Sequence, residues 1–172
     1  MINKKPIRLR KPEEEDLDLA LEWLKSGESF LFAGDMLPAS ANLREMILDQ
    51  INAPFNYDSN IYLVIETKEG ISAGMIIFHS INWKDRNTFM EVFLTDKKDN
   101  NIFSIFRAAS DFAFNEINLH KIWVNFLEDK SSIINIAEKV GAKKEQTLKK
   151  HFYFKKKFYD VYVYGLLRDE CG

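Results

Sequence analysis

The spacing of apolar positions changes along the chain, and each change predicts a new element. An alternating run at residues 7–10 predicts a short strand. Pro12 ends that strand, and apolar residues three or four apart then predict two helices, at residues 17–24 and 43–51. Three strand-like runs joined by short turns predict an antiparallel meander, at residues 61–67, 72–79 and 88–94.

Helical spacing returns in the second half of the chain, at residues 102–113. A short apolar strand follows at residues 121–125, and then a helix that Gly141 ends and that Asp129 or Ser131 is expected to cap. Two runs that flank three lysines predict a final hairpin, at residues 151–154 and 158–167. This order indicates an α+β fold, with a mixed, mostly antiparallel sheet flanked by helices and one parallel pair of strands.

Length and composition narrow the classes of protein. The chain has 172 residues, 46% of them hydrophobic, which predicts a single globular domain over residues 1–172. No apolar run is long enough to span a membrane, and residues 1–11 lack the apolar core of a signal peptide. One cysteine gives no internal disulfide, so we expect a cytoplasmic protein. A net charge of −2 excludes a strongly basic nucleic-acid binder.

Positive charge is nevertheless concentrated near the C-terminus. Residues 143–157 contain seven lysines and one acid, Glu145. A solvated sheet edge, where lysines discourage aggregation, is the favoured interpretation. A site for a phosphate-bearing ligand or RNA is the sharper alternative, and nucleic-acid binding is the least favoured of the functions considered.

Four short segments occur in an order and spacing that resemble a known family. The first strand at residues 7–10 is followed by Trp23, and Phe112-Ala113-Phe114 precedes Leu119-His120-Lys121-Ile122. Glu138-Lys139-Val140-Gly141 ends the next helix, and Lys157-Phe158-Tyr159-Asp160-Val161 opens the last strand. In these segments the chain resembles the GNAT superfamily of N-acetyltransferases, in particular its RimJ/RimL-type branch. The resemblance spans almost the whole chain.

The resemblance implies an acyl-CoA-dependent N-acyltransferase. Acetyl-CoA would be the co-substrate, and a primary amine would attack its thioester directly. The acceptor would be a small-molecule amine such as a polyamine or an aminosugar, or a protein N-terminus. In the family the thioester lies in a gap beside the central strand, here at Val92, Phe93 and Leu94, and a backbone N–H there meets the oxyanion.

The resemblance also places the cofactor's pyrophosphate at the loop after the central strand. The corresponding residues are Lys97, Lys98, Asn100, Asn101 and Ile102. Both glycines that the family uses there, where the backbone must approach an anion closely, are absent.

Two further cofactor positions depart from the family pattern. The amide that contacts the CoA arm is replaced by Lys130, and the tyrosine that protonates the leaving thiolate is replaced by Ala137. These departures motivate an alternative, a catalytically inactive GNAT-fold binding or assembly module that has lost ordinary CoA binding.

Amine acylation needs a base, and two residues are candidates. Glu91 lies among apolar residues in the central strand, and His79 ends the preceding strand. Strand alternation alone would place Glu91 on a solvent-facing position, and His79 also fits an exposed strand end. No metal-ligand spacing accompanies either residue, so we expect no metal.

The sequence of the last strand is also relevant to whether two copies of the chain form a dimer. Members of the RimJ/RimL-type branch often form dimers through the sheet edge or the last strands. The alternating aromatic run at residues 158–164 is compatible with a homodimer, although it also fits the monomer core.

Overall fold

The fold is known from a computed structural model that describes residues 7–25, 40–52, 59–95, 102–154 and 156–171. Within these ranges four α-helices are present: α1 (Leu17–Lys25), α2 (Ser40–Asn52), α3 (Ile102–Asp111) and α4 (Ser131–Val140). A π-helical turn, Phe112–Glu116, continues α3, and 3-10 turns precede α1 and follow the last strand.

The described residues form seven strands in one sheet. They are β1 (Ile7–Arg10), β2 (Ile61–Thr67), β3 (Ser72–Asn82), β4 (Asn87–Leu94), β5 (Lys121–Leu127), β6 (Lys143–Phe154) and β7 (Lys157–Leu167). Their order across the sheet is β1-β2-β3-β4-β5-β7-β6. All neighbouring pairs are antiparallel except β4 and β5, which are parallel and are connected through α3. The predicted α+β class, with one parallel pair, is confirmed.

Helices cover the two faces of the sheet unequally. On one face, α3 and α4 pack over the side chains of β2 to β5, with Ile105, Ala109 and Ala137 among the buried contacts. On the other face, α1 and α2 pack over the β2–β3–β4 half, with Trp23 and Ile47 buried. β4 is therefore covered on both sides, and every one of its residues after Asn87 is buried. A strand that is covered on both faces has an almost continuously apolar sequence, because neither face meets solvent.

The final hairpin is longer than the sequence predicts. β6 begins at Lys143, eight residues before the predicted start, and pairs with β7 along most of its length. Lys143, Lys144 and Glu145 are exposed, so this part of the strand lacks the apolar alternation by which a strand is recognised. Long-range pairing with β7 determines its structure instead.

The start of α4 also differs from expectation. Lys130, and not Asp129 or Ser131, occupies the N-cap position, and no side chain there makes a capping hydrogen bond. The Lys130 carbonyl instead accepts hydrogen bonds from the N–H groups of Ile133 and Ile134. The predicted end is confirmed: Gly141 adopts a left-handed conformation with φ of 110°, and an added Cβ would lie 2.2 Å from the Glu170 carbonyl oxygen.

One polar network ties the first strand to the body of the sheet. Asp16 is buried, and its carboxylate accepts two hydrogen bonds from the Arg10 guanidinium, at 2.6 and 2.9 Å. Ser72 and the Glu13 backbone N–H also donate to Asp16, and Arg10 Nε donates to Glu66 on β2 at 2.7 Å. The network joins β1, the turn before α1, β2 and β3, so it fixes how the α1 segment meets the sheet.

No helix in the described ranges is long and apolar enough to cross a membrane.

Candidate active site

The ladder between β4 and β5 is short. Only three residue pairs form it, Asn87 with Lys121, Thr88 with Ile122 and Phe89 with Trp123. β4 nevertheless continues to Leu94, paired with β3, and β5 continues to Leu127, paired with β7. The two strands, described throughout their lengths, therefore part beyond Phe89 and Trp123. No ladder joins residues 90–94 to residues 124–127, and we call the space between these two segments, in the middle of the sheet, the opening.

A buried acid on β4 and a buried histidine on the neighbouring strand β3 lie beside this opening. Glu91 is completely buried, His79 is 5% exposed, and His79 Nε2 lies 2.8 Å from Glu91 Oε2. Glu91 pairs with Ile77 on β3, so Glu91 and His79 share the sheet face that α1 and α2 cover. The structure thus brings into contact the two residues that the sequence predicted separately as candidate bases.

The position of His79 depends on a β-bulge. Between His79 and Asn82 the register of β3 against β4 shifts, because two residues of β3 lie opposite Thr88 alone. Ser80, in the bulge, has a φ of 49°, and its N–H donates to Asn60 Oδ1. The Thr88 hydroxyl donates to the His79 carbonyl at 2.9 Å. The bulge and these bonds therefore fix the backbone that carries the imidazole.

Two aromatic rings close the narrow end of the opening on the same face. The centroids of the Phe89 and Trp123 rings lie 4.6 Å apart, across the last pair of the β4–β5 ladder. The Phe89 ring also stacks on the His79 ring, with the two centroids 5.8 Å apart. Sequence reasoning missed Trp123, although the predicted parallel pair could have placed it opposite Phe89.

The other predicted site residues fall into three groups. Val92, Phe93 and Leu94 lie on the part of β4 that borders the opening, with Phe93 on the α1 face and the other two on the α3 face. Ile102 begins α3, and Lys130 occupies the N-cap of α4. The remaining predicted cofactor residues lie outside the described part of the chain: Lys97, Lys98, Asn100 and Asn101.

The described residues offer no metal centre. Nowhere in these ranges do three or more His, Cys, Asp and Glu side chains come together in a way that could hold a metal ion. The described groups that border the opening are the carboxylate–imidazole pair, the backbone of β4 and the side chain of Asn125 on β5.

Comparisons with known proteins agree with this geometry. Residues 7–143 match the family described as the acetyltransferase (GNAT) domain. Among curated protein sequences none matches this chain.

Similar solved structures include two from Vibrio cholerae. One is a spermidine N-acetyltransferase in complex with CoA and spermine, with 18% identity, a TM-score of 0.81, and coverage of 95% of this chain and 96% of that chain. Another is the spermidine/spermine N-acetyltransferase SpeG in complex with manganese ions, with 18% identity, a TM-score of 0.79, and coverage of 98% and 96%. At such identities the likeness shows a shared fold.

The family match covers far more than half of the chain, and the parallel strands that part in mid-sheet accord with it. The chain therefore belongs to the GNAT acetyltransferase family and, by that membership, is an acyl-CoA-dependent N-acetyltransferase.

Proposed function

We propose that this protein transfers the acetyl group of acetyl-CoA to a primary amine, with the thioester lying between β4 and β5. The observation that carries the proposal is the buried His79–Glu91 pair, which lies beside the point where the β4–β5 ladder ends. A base beside the reacting atoms and a site that holds both reactants together are the two main requirements of amine acylation.

Within the pair, His79 is the proton acceptor and Glu91 orients it. An ionised Glu91 accepts a hydrogen bond from His79 Nε2–H, and a neutral imidazole with its proton on Nε2 has its acceptor lone pair on Nδ1. Nδ1 would take a proton from the acceptor ammonium. The carboxylate then stabilises the imidazolium that forms, much as the acid of a catalytic triad does.

The remaining steps balance without a further group. The deprotonated nitrogen attacks the thioester carbonyl carbon, a C–N bond forms and the C–S bond breaks. After attack the nitrogen carries one proton more than the amide product, and it loses this proton to solvent as the intermediate collapses. CoA leaves as a thiolate that takes its proton from solvent, because Ala137 stands where the family has a tyrosine for this role. His79 then releases its own proton to solvent and is neutral again. A backbone N–H of residues 92–94 would stabilise the oxyanion.

We rank three classes of acceptor amine. A polyamine comes first, since both similar structures named above are polyamine N-acetyltransferases. A protein N-terminus and an aminosugar are the other two acceptors. We further propose membership of the RimJ/RimL-type branch, with cofactor motifs that depart from its pattern at residues 97–100 and at Lys130.

These departures are the basis of the alternative drawn from the sequence, a binding module that no longer transfers acetyl groups, and the family match favours the enzyme over it. A glycine-free loop brings backbone N–H groups less easily to a pyrophosphate, and Asp96 and Asp99 would repel it.

We also propose a homodimer and a cytoplasmic location. At the end of the β6–β7 hairpin the Tyr153 and Phe158 rings lie 4.8 Å apart and are 58% and 56% exposed, which suits a contact with a second copy. Gel filtration at several concentrations would give a strict monomer if the dimer is wrong. The compartment is inferred from the single cysteine.

An acetyl-transfer assay with three acceptors tests the proposed function. We expect turnover of acetyl-CoA with spermidine, and less or none with glucosamine and with a short peptide bearing a free N-terminus. Release of the CoA thiol gives the rate, and mass spectrometry of the acetylated amine excludes simple hydrolysis. If acetyl-CoA does not bind at millimolar concentration and none of the amines is acetylated, the binding-module alternative is the correct one.

A further inference from the structure

An amide side chain on the β5 wall of the opening has a buried oxygen that lacks a partner. Asn125 Oδ1 is shielded from solvent, and no described residue makes a hydrogen bond to it. Folded proteins satisfy nearly all buried polar atoms, since a carbonyl removed from water without a donor costs free energy. An exception beside a substrate opening suggests that a ligand supplies the donor.

The register of the sheet places Asn125 opposite Glu91. Phe89 pairs with Trp123 in the last pair of the parallel ladder, and side chains alternate between faces along each strand. Two residues further along, Glu91 and Asn125 occupy the same face on opposite walls of the opening. This is the face on which His79 contacts Glu91.

The neighbours of Asn125 within the sheet do not provide a donor. Its partner on β7 is Val163, and Leu127, two residues further along β5, shares its face. Both side chains are apolar. Leu127 packs with Val161 in a small apolar cluster at the hairpin side of the sheet. Trp123, two residues back on the same face, has an indole N–H, but this group makes no hydrogen bond to Asn125 Oδ1. A donor that enters the opening on this face would therefore find in Asn125 Oδ1 a side-chain acceptor that no described residue uses.

We propose that Asn125 Oδ1 accepts a hydrogen bond from the nitrogen of the acceptor amine and is a positioning residue for it. This inference rests on the proposed function. The amine nitrogen would lie between the His79–Glu91 pair, which joins β3 and β4, and Asn125 on β5, with its lone pair directed at the thioester carbon. A second N–H donor, the amide of the pantetheine arm, is the competing occupant. The amine is favoured because Asn125 shares the face of the group that receives the amine's proton.

Asn125→Leu and Asn125→Asp provide the test. The leucine is close in size and has no acceptor, whereas the aspartate keeps one. We expect Asn125→Leu to raise the KM for spermidine about tenfold or more and to leave the Kd for acetyl-CoA within about twofold. Asn125→Asp should keep the spermidine KM within about threefold of the wild type or lower it. Ser110→Ala, which removes a buried hydroxyl from α3, is the matched control and should change neither constant.

The melting temperature distinguishes a ligand role from a structural one. If Oδ1 has no partner in the free protein, replacing Asn125 by leucine removes no bond, and the melting temperature should stay the same or rise. A clear fall would show that Asn125 holds the fold, and this would overturn the proposal. An unchanged spermidine KM, or an effect confined to acetyl-CoA, would overturn it as well.

Failure of the proposed function would look different, because the wild type itself would then acetylate no amine. Calorimetric titration of spermidine into the CoA-saturated wild type and into Asn125→Leu would still decide the role of Asn125. Binding that is at least about tenfold weaker in the variant supports the role. Equal binding, or no binding to the wild type, contradicts it.

Discussion

Glu91→Gln should lower kcat for acetyl transfer by about 10²–10⁴-fold while leaving the affinity for acetyl-CoA unchanged, since general-base catalysis contributes that much. Glutamine keeps the size of the side chain and a hydrogen bond to His79, but it cannot stabilise an imidazolium. The ascending limb of the pH–rate profile, which reports the base, should shift or disappear in the same variant. Steady-state kinetics across pH and calorimetric titration of acetyl-CoA measure the two effects.

Two controls make the result specific. Glu145→Gln neutralises another strand carboxylate, one exposed in an ion pair with Lys121, and should leave kcat unchanged. His79→Gln should resemble Glu91→Gln, and the double variant should be little slower than either single variant, because residues that act as a unit are not additive. Full activity of Glu91→Gln would remove the pair from the mechanism.

Asp16→Ala should be the most destabilising single change among those considered, by about 3 kcal/mol. Breaking a buried ion pair by removing one partner leaves the other charge less well compensated. Arg10 would lose its two bonds to Asp16 and keep its ion pair with Glu66 and its hydrogen bonds to the Lys11 carbonyl and the Ser72 hydroxyl. For a domain of this size, that corresponds to a fall in melting temperature of about 6–12 °C. Asp18→Ala, in the following helix, is the matched control. Its side chain is 95% exposed and its ion pair with Arg44 is long, at 3.8 Å, so no measurable change is expected.

The effect of Asp16 should also depend on pH. Burial by itself would raise the pKa of Asp16, but the hydrogen bonds from Arg10 and from the Glu13 backbone outweigh it and hold the pKa below its ordinary value. A lowered pKa stabilises the fold above the unfolded value of about 3.9. This stabilisation is lost as the pH falls through the folded-state pKa. The difference in unfolding free energy between the wild type and Asp16→Asn, measured by denaturant titration, should therefore shrink below about pH 4. A difference that stays constant down to pH 2 would show that the ion pair does not carry the stability.

Local patterns were enough to predict the fold but not the contacts of the site. The β2–β3–β4 meander follows from short turns between strand-like runs, and the parallel pair follows from the helix that separates β4 from the next strand. The strand that begins at Lys143 was missed, since its lysines face solvent and only pairing with β7 makes it extended.

In the candidate site, too, the sequence indicated single residues but not the contacts between them. Glu91 and His79 were each predicted separately as a candidate base, from their residue types and apolar neighbours. Their contact depends on the register between β3 and β4 and on the bulge at Ser80, and neither has a signature in the sequence. Asn125 lies at the end of a strand predicted only as apolar. Its importance appears when the end of the β4–β5 ladder places it across from Glu91.

We expect acetyl-CoA to occupy the space where β4 and β5 part, and the proposed function depends on this placement. Backbone amide resonances followed by NMR during an acetyl-CoA titration test it most directly. We predict saturable shifts at residues 90–94 and 124–127, while the amides of β1, at the far edge of the sheet, stay unchanged. No shifts at millimolar acetyl-CoA, or shifts confined to other parts of the sheet, would contradict the account.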